Sequence, residues 1–155
     1  GVYMALHPDD PPLTPLRGIG RIVVSGANYR RIMNIVPSPV NGVTYCQANF
    51  VAMGEDVYAL AKEFLAAKKI FFVHFRDIEG KGQKFRETFH DNGPTDMVRM
   101  LKIYSDGGFN GPIRPDHAPT LEGEENSRPG YAMKGKIYAF GYMKGIMNAL
   151  KLPCS

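Results

Sequence analysis

Apolar positions along the chain fall into two kinds of pattern that alternate. Short β-like runs occur at Val2 to His7 ("VYMALH"), Gly42 to Cys46 ("GVTYC"), Lys69 to Phe75 ("KIFFVHF") and Gly111 to Asp116 ("GPIRPD"). Their length and composition predict β-strands. The third run is apolar almost throughout, the pattern of a strand covered on both faces in a parallel sheet. The fourth is the weakest, because its prolines cannot donate to a strand ladder.

Between the runs the apolar spacing changes to the helical period. "SGANYRRIMNIVP" follows a capping residue, Ser25, and carries Tyr29, Ile32, Met33 and Val36 at helical spacing. "EDVYALAKEFLAAKK" puts Val57, Leu60, Ala61, Phe64 and Leu65 on one face, with lysines expected in its last turn. "TDMVRMLKIYSDGG" has Thr95 as its expected cap and a Gly-Gly stop, and "GYAMKGKIYAFGYMKGIMNALKL" closes the chain. Glycines 135, 141 and 145 in that last helix are expected to permit close packing. The order β-α-β-α-β-α-β-α predicts parallel strands joined by crossover helices. It suits an open doubly wound sheet and part of a (β/α)8 barrel equally. Eight strands need roughly 250 residues, and 155 supply about half of that.

Composition narrows the picture. Hydrophobic residues make up 44%, enough for one core, so residues 1–155 are read as a single domain. The net charge is +4, with Lys and Arg scattered instead of clustered. That argues against nucleic acid and suits a small anionic substrate. Two cysteines form no disulfide framework, which predicts a reducing, cytoplasmic setting. No apolar run is long enough to span a membrane, and the first residues lack the basic region of a signal peptide.

The strand ends carry the chemistry. The four predicted strands end in or near His7, Cys46, His74 and Asp116. Parallel α/β architectures build their sites beyond the carboxyl ends of strands, so these four side chains are candidates for one metal site. Taken singly, each has an ordinary reading: a hydrogen-bonded histidine, a small buried thiol, a turn aspartate. Together, two imidazoles, a thiolate and a carboxylate suit a divalent transition ion better than Ca or Mg. "FRETFH" spaces Glu87 and His90 as neighbours on a helix face would be, but it lacks a metalloprotease signature and is read as loop and rim. Asp9 and Asp10 either orient His7 or shape the turn after it.

The motifs "LHPDDPP", "GVTYCQANF", "FFVHFRD", "FRETFHDNGPTDM", "RPDH" and "NSRPGYAMKGKIYAFGYMKG" occur in an order that resembles the C-terminal half of mannonate dehydratase over nearly the whole chain. The resemblance implies an α/β fold, a (β/α)4 half of a TIM (β/α)8 barrel comprising strands five to eight. It implies a lyase that removes water from D-mannonate to give 2-keto-3-deoxy-D-gluconate. Its metal ligands fall on His7, Cys46, His74 and Asp116. Mn(II) is the implied ion, with Fe(II), Co(II) or Zn(II) as related candidates. The acid/base pair falls on His117 and Tyr131, with the division of labour between them open. Arg76, two residues beyond His74 on the same side of its strand, is expected to bind the substrate carboxylate in a bidentate manner. A sugar isomerase or epimerase, or a metal-binding half-barrel without turnover, are the alternatives on the same scaffold. A half-barrel has two bare sheet edges, and a homo-oligomer covering them is expected.

Overall fold

The computed structural model describes residues 2–152, so Cys154 lies outside the described region. The main sheet has four parallel strands in the spatial order β1 (Met4–Leu6), β2 (Asn41–Cys46), β3 (Ile70–His74) and the short strand Ile113–Arg114, β6. The expected alternation is present. Helix α1 (Gly26–Ile35) follows β1, α3 (Val57–Ala66) precedes β3, α4 (Met97–Asp106) precedes β6, and α5 (Met133–Ala149) closes the described chain.

Two elements break the simple alternation. A seven-residue helix, α2 (Gln47–Met53), starts directly after Cys46 and ends at Gly54, whose φ of 81° gives the left-handed cap that glycine adopts freely. An antiparallel hairpin, β4 (Ile78–Lys81) and β5 (Lys84–Glu87), leaves the end of β3 and packs against α2. Glu87 and His90 therefore do not share a helix; Glu87 ends a strand and His90 sits in the loop beyond it.

Several local expectations shift for physical reasons. The first strand is shorter than Val2 to His7 and leaves His7 just past its end. The fourth shrinks to two residues because Pro112 and Pro115 flank it and supply no N–H. Asp96, not Thr95, caps α4, accepting from the Arg99 N–H at 2.9 Å. Thr95 is buried instead on Asp77, to which its N–H and hydroxyl both donate. Lys68 and Lys69 lie beyond the end of α3, so they do not occupy its last turn; Lys69 donates to the carbonyls of Ser38 and Asn41. In α5 only Gly135 meets a close neighbour: a Cβ there would lie 2.6 Å from the Pro119 carbonyl oxygen, whereas Gly141 and Gly145 face open space.

The core lies between the sheet and its helices and is strongly aromatic. Tyr45 stacks on Phe50 with centroids 4.6 Å apart, and Tyr29, Phe64 and Tyr104 pack around the pair. Each buried phenol keeps a partner, as burial requires. Tyr29 donates to the Leu6 carbonyl, Tyr45 to that of Val57, and Tyr104 to Gln47 Oε1. The Tyr29 bond also ties α1 to the end of β1, one residue before His7. The expected inner face of α3 is buried in full. On α1, Tyr29 is buried and Ile32 and Met33 pack at the core margin, while Val36 is exposed.

Candidate functional site

Strand pairing assembles the first part of the site. Parallel register sets Cys46 beside His74 and His74 beside Arg114. Cys46 and His74 are the last residues of their strands, and His7 follows β1 immediately. Single donor atoms of His7, Cys46 and His74 all lie within 4.8 Å of one another. His7 Nε2 and His74 Nδ1 are 3.1 Å apart. Asp116 stands two residues past β6 in a left-handed conformation, φ 58°, which an Asp tolerates better than most residues. Its Oδ2 is 3.4 Å from His74 Nδ1.

Burial sets the electrostatics of these donors. Burial pushes the Cys46 thiol up to about 12, with the Arg76 charge opposing that rise. Its Sγ donates to Asn49 Oδ1 at 2.8 Å. Burial also lowers His7, which favours the neutral ring with a lone pair to offer. Asp116 is held below the usual carboxylate range: burial opposes this, but His74, His117 and Arg114 outweigh it. The set fits a divalent ion on chemical grounds. Neutral imidazoles and an ionised carboxylate are ready ligands, and a cation displaces the proton of a buried thiol. The 3.1 Å between His7 Nε2 and His74 Nδ1 and the 3.4 Å between His74 Nδ1 and Asp116 Oδ2 are short enough for these donors to share one ion.

Arg76 stands behind this cluster, 3% exposed. Its Nε donates to Glu87 Oε2 at 3.0 Å and its Nη2 to Glu87 Oε1. Its Nη1 reaches Asp10 at 2.8 Å and Asn49 at 3.3 Å. The bidentate position expected for a substrate carboxylate is thus taken by Glu87. Asp10 belongs to Arg76 rather than to His7. Asp9 shapes the turn, accepting from Arg21 and from the Val23 N–H.

Side-chain and backbone bonds together hold the second part of the site, where the Ala118 N–H donates to the Gly130 carbonyl at 3.1 Å. His117 Nε2 and the Tyr131 hydroxyl are 2.8 Å apart, and His117 Nδ1 is 3.3 Å from Glu87 Oε1. His117 Nε2 also lies 3.9 Å from Asp116 Oδ2, which joins the two parts. Gly130, with φ 84°, lets the chain pass the His117 ring; a Cβ there would sit 3.1 Å from it.

Sequence reasoning missed Asn49 and undervalued Glu87, read only as loop and rim, and Asp10. Asn49 is placed three residues after Cys46 by α2, a helix that no punctuation in the sequence announces. Glu87 reaches Arg76 and His117 only because of the β4–β5 hairpin. Asp10 was weighed for a different partner.

A family model described as D-mannonate dehydratase (UxuA) matches residues 1–153. The chain belongs to the D-mannonate dehydratase family. It is 38% identical over 154 residues to mannonate dehydratase 2 of Halalkalibacterium halodurans, covering 97% of this chain and 44% of that protein. Mannonate dehydratase of Lactococcus lactis subsp. cremoris is likewise 38% identical, over 97% of this chain and 43% of its own length. The crystal structure of mannonate dehydratase from Streptococcus suis serotype 2 superposes on all of this chain with a TM-score of 0.85 at 31% identity, and the chain covers 46% of it. The chain therefore spans less than half the length of the mannonate dehydratases it matches. Its four parallel βα units are half of a TIM-type (β/α)8 barrel. No helix among the described residues is long and apolar enough to cross a membrane.

Proposed function

We propose that this chain forms the metal-binding and proton-transferring half of a dehydratase that removes water from D-mannonate, giving 2-keto-3-deoxy-D-gluconate. The observation that carries the proposal is the adjacency of two clusters, the His7–Cys46–His74 donors with Asp116 and the His117–Tyr131 pair. His7, Cys46, His74 and Asp116 would hold the ion, Mn(II) first and Fe(II), Co(II) or Zn(II) as alternatives. A divalent ion bound there supplies positive charge that stabilises negative charge developing on the substrate's oxygens.

The reaction takes the proton from C2, beside a carboxylate that acidifies it poorly, and expels hydroxide from C3. The enol left behind rearranges to the 2-keto acid. One group must accept the C2 proton and another must protonate the departing oxygen. His117 and Tyr131 share those roles, hydrogen-bonded to each other at the rim. Arg76 serves the anionic substrate through its field, because its own donors are engaged by Glu87, Asp10 and Asn49. A cytoplasmic setting suits the buried free thiol of Cys46.

A second copy of the chain is the proposed cover for the open sheet edges. Val2 is 87% exposed, and with Met4 it lines an apolar face together with Ile35 and Val36. At the opposite edge α5 exposes Ile137 and Phe140. A monomer rarely leaves apolar faces of this kind in water. Size-exclusion chromatography with light scattering is expected to give a dimer or larger. A compact monomer, or a stable complex with a different polypeptide, overturns the self-association.

The test of the activity is incubation of the Mn(II)-loaded protein with D-mannonate, followed by assay of 2-keto-3-deoxy acid. Product formation is expected. Its absence from a folded, metal-loaded sample overturns the dehydratase reading for this chain.

A further inference from the structure

Glu87 has no place in the ligand set or the proton-transferring pair, yet it is the residue that connects Arg76 to His117. It ends β5 in a hairpin that the parallel sheet does not require. Both of its carboxylate oxygens are taken by Arg76, and Oε1 is shared with His117 Nδ1. A guanidinium has only donors, so it holds the carboxylate as an acceptor and fixes its plane. Burial alone would raise Glu87, but the bonds from His117 and Arg76 bring it below its ordinary value, which keeps it ionised.

An acceptor-only group facing Nδ1 requires the proton to be on Nδ1. A neutral imidazole then has its lone pair on Nε2. The group 2.8 Å from Nε2 is the Tyr131 hydroxyl, which must be the donor in that bond. We propose that Glu87 is a positioning residue that holds neutral His117 in its Nδ1–H tautomer, so that Tyr131 donates and His117 Nε2 accepts. The direction of the His117–Tyr131 hydrogen bond is thereby set before any substrate arrives. Gly130 makes room for the ring in this position, since a Cβ there would sit 3.1 Å from His117 Cγ. The catalytic meaning of this direction rests on the dehydratase reading; the tautomer itself does not.

The experiment is nitrogen NMR of the chain labelled with ¹⁵N-histidine, with Zn(II) as a diamagnetic ion, at about pH 8.5, where ordinary imidazoles are neutral. The His117 signals are identified by their loss in His117→Gln. The unsubstituted chain is expected to show a protonated Nδ1 and an unprotonated Nε2 at His117. Tyr131→Phe is expected to keep that tautomer, and Glu87→Ala to lose it, with Nε2–H gaining. An Nε2–H tautomer in the unsubstituted chain overturns the proposal. So does a folded Glu87→Ala chain whose tautomer is unchanged, or loss of the tautomer in Tyr131→Phe. Should Glu87→Ala fail to fold, the unsubstituted and Tyr131→Phe samples still decide. None of these readouts depends on turnover, so a failed D-mannonate assay and a wrong tautomer are separate results.

Discussion

The centre of the site and its rim are built by different means. At the centre, Cys46 and His74 are the terminal residues of adjacent parallel strands, paired in register and 0% and 6% exposed. Backbone hydrogen bonds and the aromatic core behind β2 fix them. At the rim, Asp116, His117 and Tyr131 lie in the connection between a two-residue strand and α5, and Tyr131 is 49% exposed. Side-chain bonds orient their functional groups, Arg114 to Asp116, Glu87 to His117 and His117 to Tyr131, while the Ala118 N–H donates to the Gly130 carbonyl and the Tyr131 N–H to that of Arg128. The difference teaches that Cys46 and His74 share their stability with the fold, whereas the His117–Tyr131 pair is expected to come apart while the fold persists.

The strongest way to sharpen this contrast is at the rim. His117→Asn or Tyr131→Phe is expected to lower turnover on D-mannonate by about 10²–10⁴-fold, the usual worth of a positioned acid or base. Stability should move by no more than about 0.5 kcal/mol, as for other substitutions away from a core. Steady-state rates beside urea melts check both halves. Large destabilisation by Tyr131→Phe would show that the rim is tied to the core after all.

The converse substitution lies at the centre. Phe50 is fully buried and stacks on Tyr45, which immediately precedes Cys46 in β2. Phe50→Ala is expected to cost about 3–5 kcal/mol through lost transfer energy and the cavity left behind. Because Tyr45 and Cys46 share a strand, retention of a divalent ion should weaken together with the melt. Urea unfolding and metal analysis on one preparation report both. Intact metal binding in a chain destabilised to that degree would separate the ligands from the core.

Cys46→Ala then separates the proposed donor from its packing. It removes one donor and little volume. Metal affinity is expected to fall by about 100-fold or more, since even indirect partners of ligands cost 10–100-fold. The melt without metal should change by only about 1 kcal/mol, the typical size of a point substitution. Equilibrium dialysis checks the first figure. An unchanged affinity would remove Cys46 from the donor set.

The same contrast explains what could be read from the sequence. β1, β2 and β3 were legible because dense apolar runs announce them, with His7, Cys46 and His74 at or just past their ends, whereas the two-residue β6, two residues before Asp116, was only weakly marked. The rim was legible only as motif resemblance, since "RPDH" and "RPGY" carry no periodicity that would place them side by side. The hairpin was not legible at all. Its residues, "IEGKGQKFRE", are mostly polar and exposed, so no apolar face marked it as paired strands. That omission also misdirected Arg76. With the hairpin unseen, its bidentate partner was expected to be a ligand, and the chain itself supplies Glu87. Helix α2 escaped for the opposite reason, because Cys46 passes from strand to helix with no turn residue between them.

The smallest expected effect concerns the loop that props the rim against the sheet. His90 is 1% exposed, and its Nε2 bonds the carbonyl of Pro115, the residue before Asp116. Burial lowers His90 below the ordinary imidazole value, and hydrogen bonding and nearby carboxylates only partly offset this. The folded value is therefore below the unfolded one of about 6.5, and between the two the unfolded chain binds more protons. Stability is complete above about pH 6.5 and is lost as pH falls through that value toward the folded one. His7, lowered chiefly by burial, acts with the same sign in the same window. The depressed carboxylates Glu87 and Asp116 enter only lower, below about pH 4, where their unfolded counterparts take up protons. Urea melts at about pH 7.5 and pH 5 are thus expected to show a loss of stability that His90→Gln reduces but does not abolish, the remainder belonging to His7. An equal loss in both chains would mean that His90 does not hold its low value. The prop beneath the rim would then be as soft as the rim it supports.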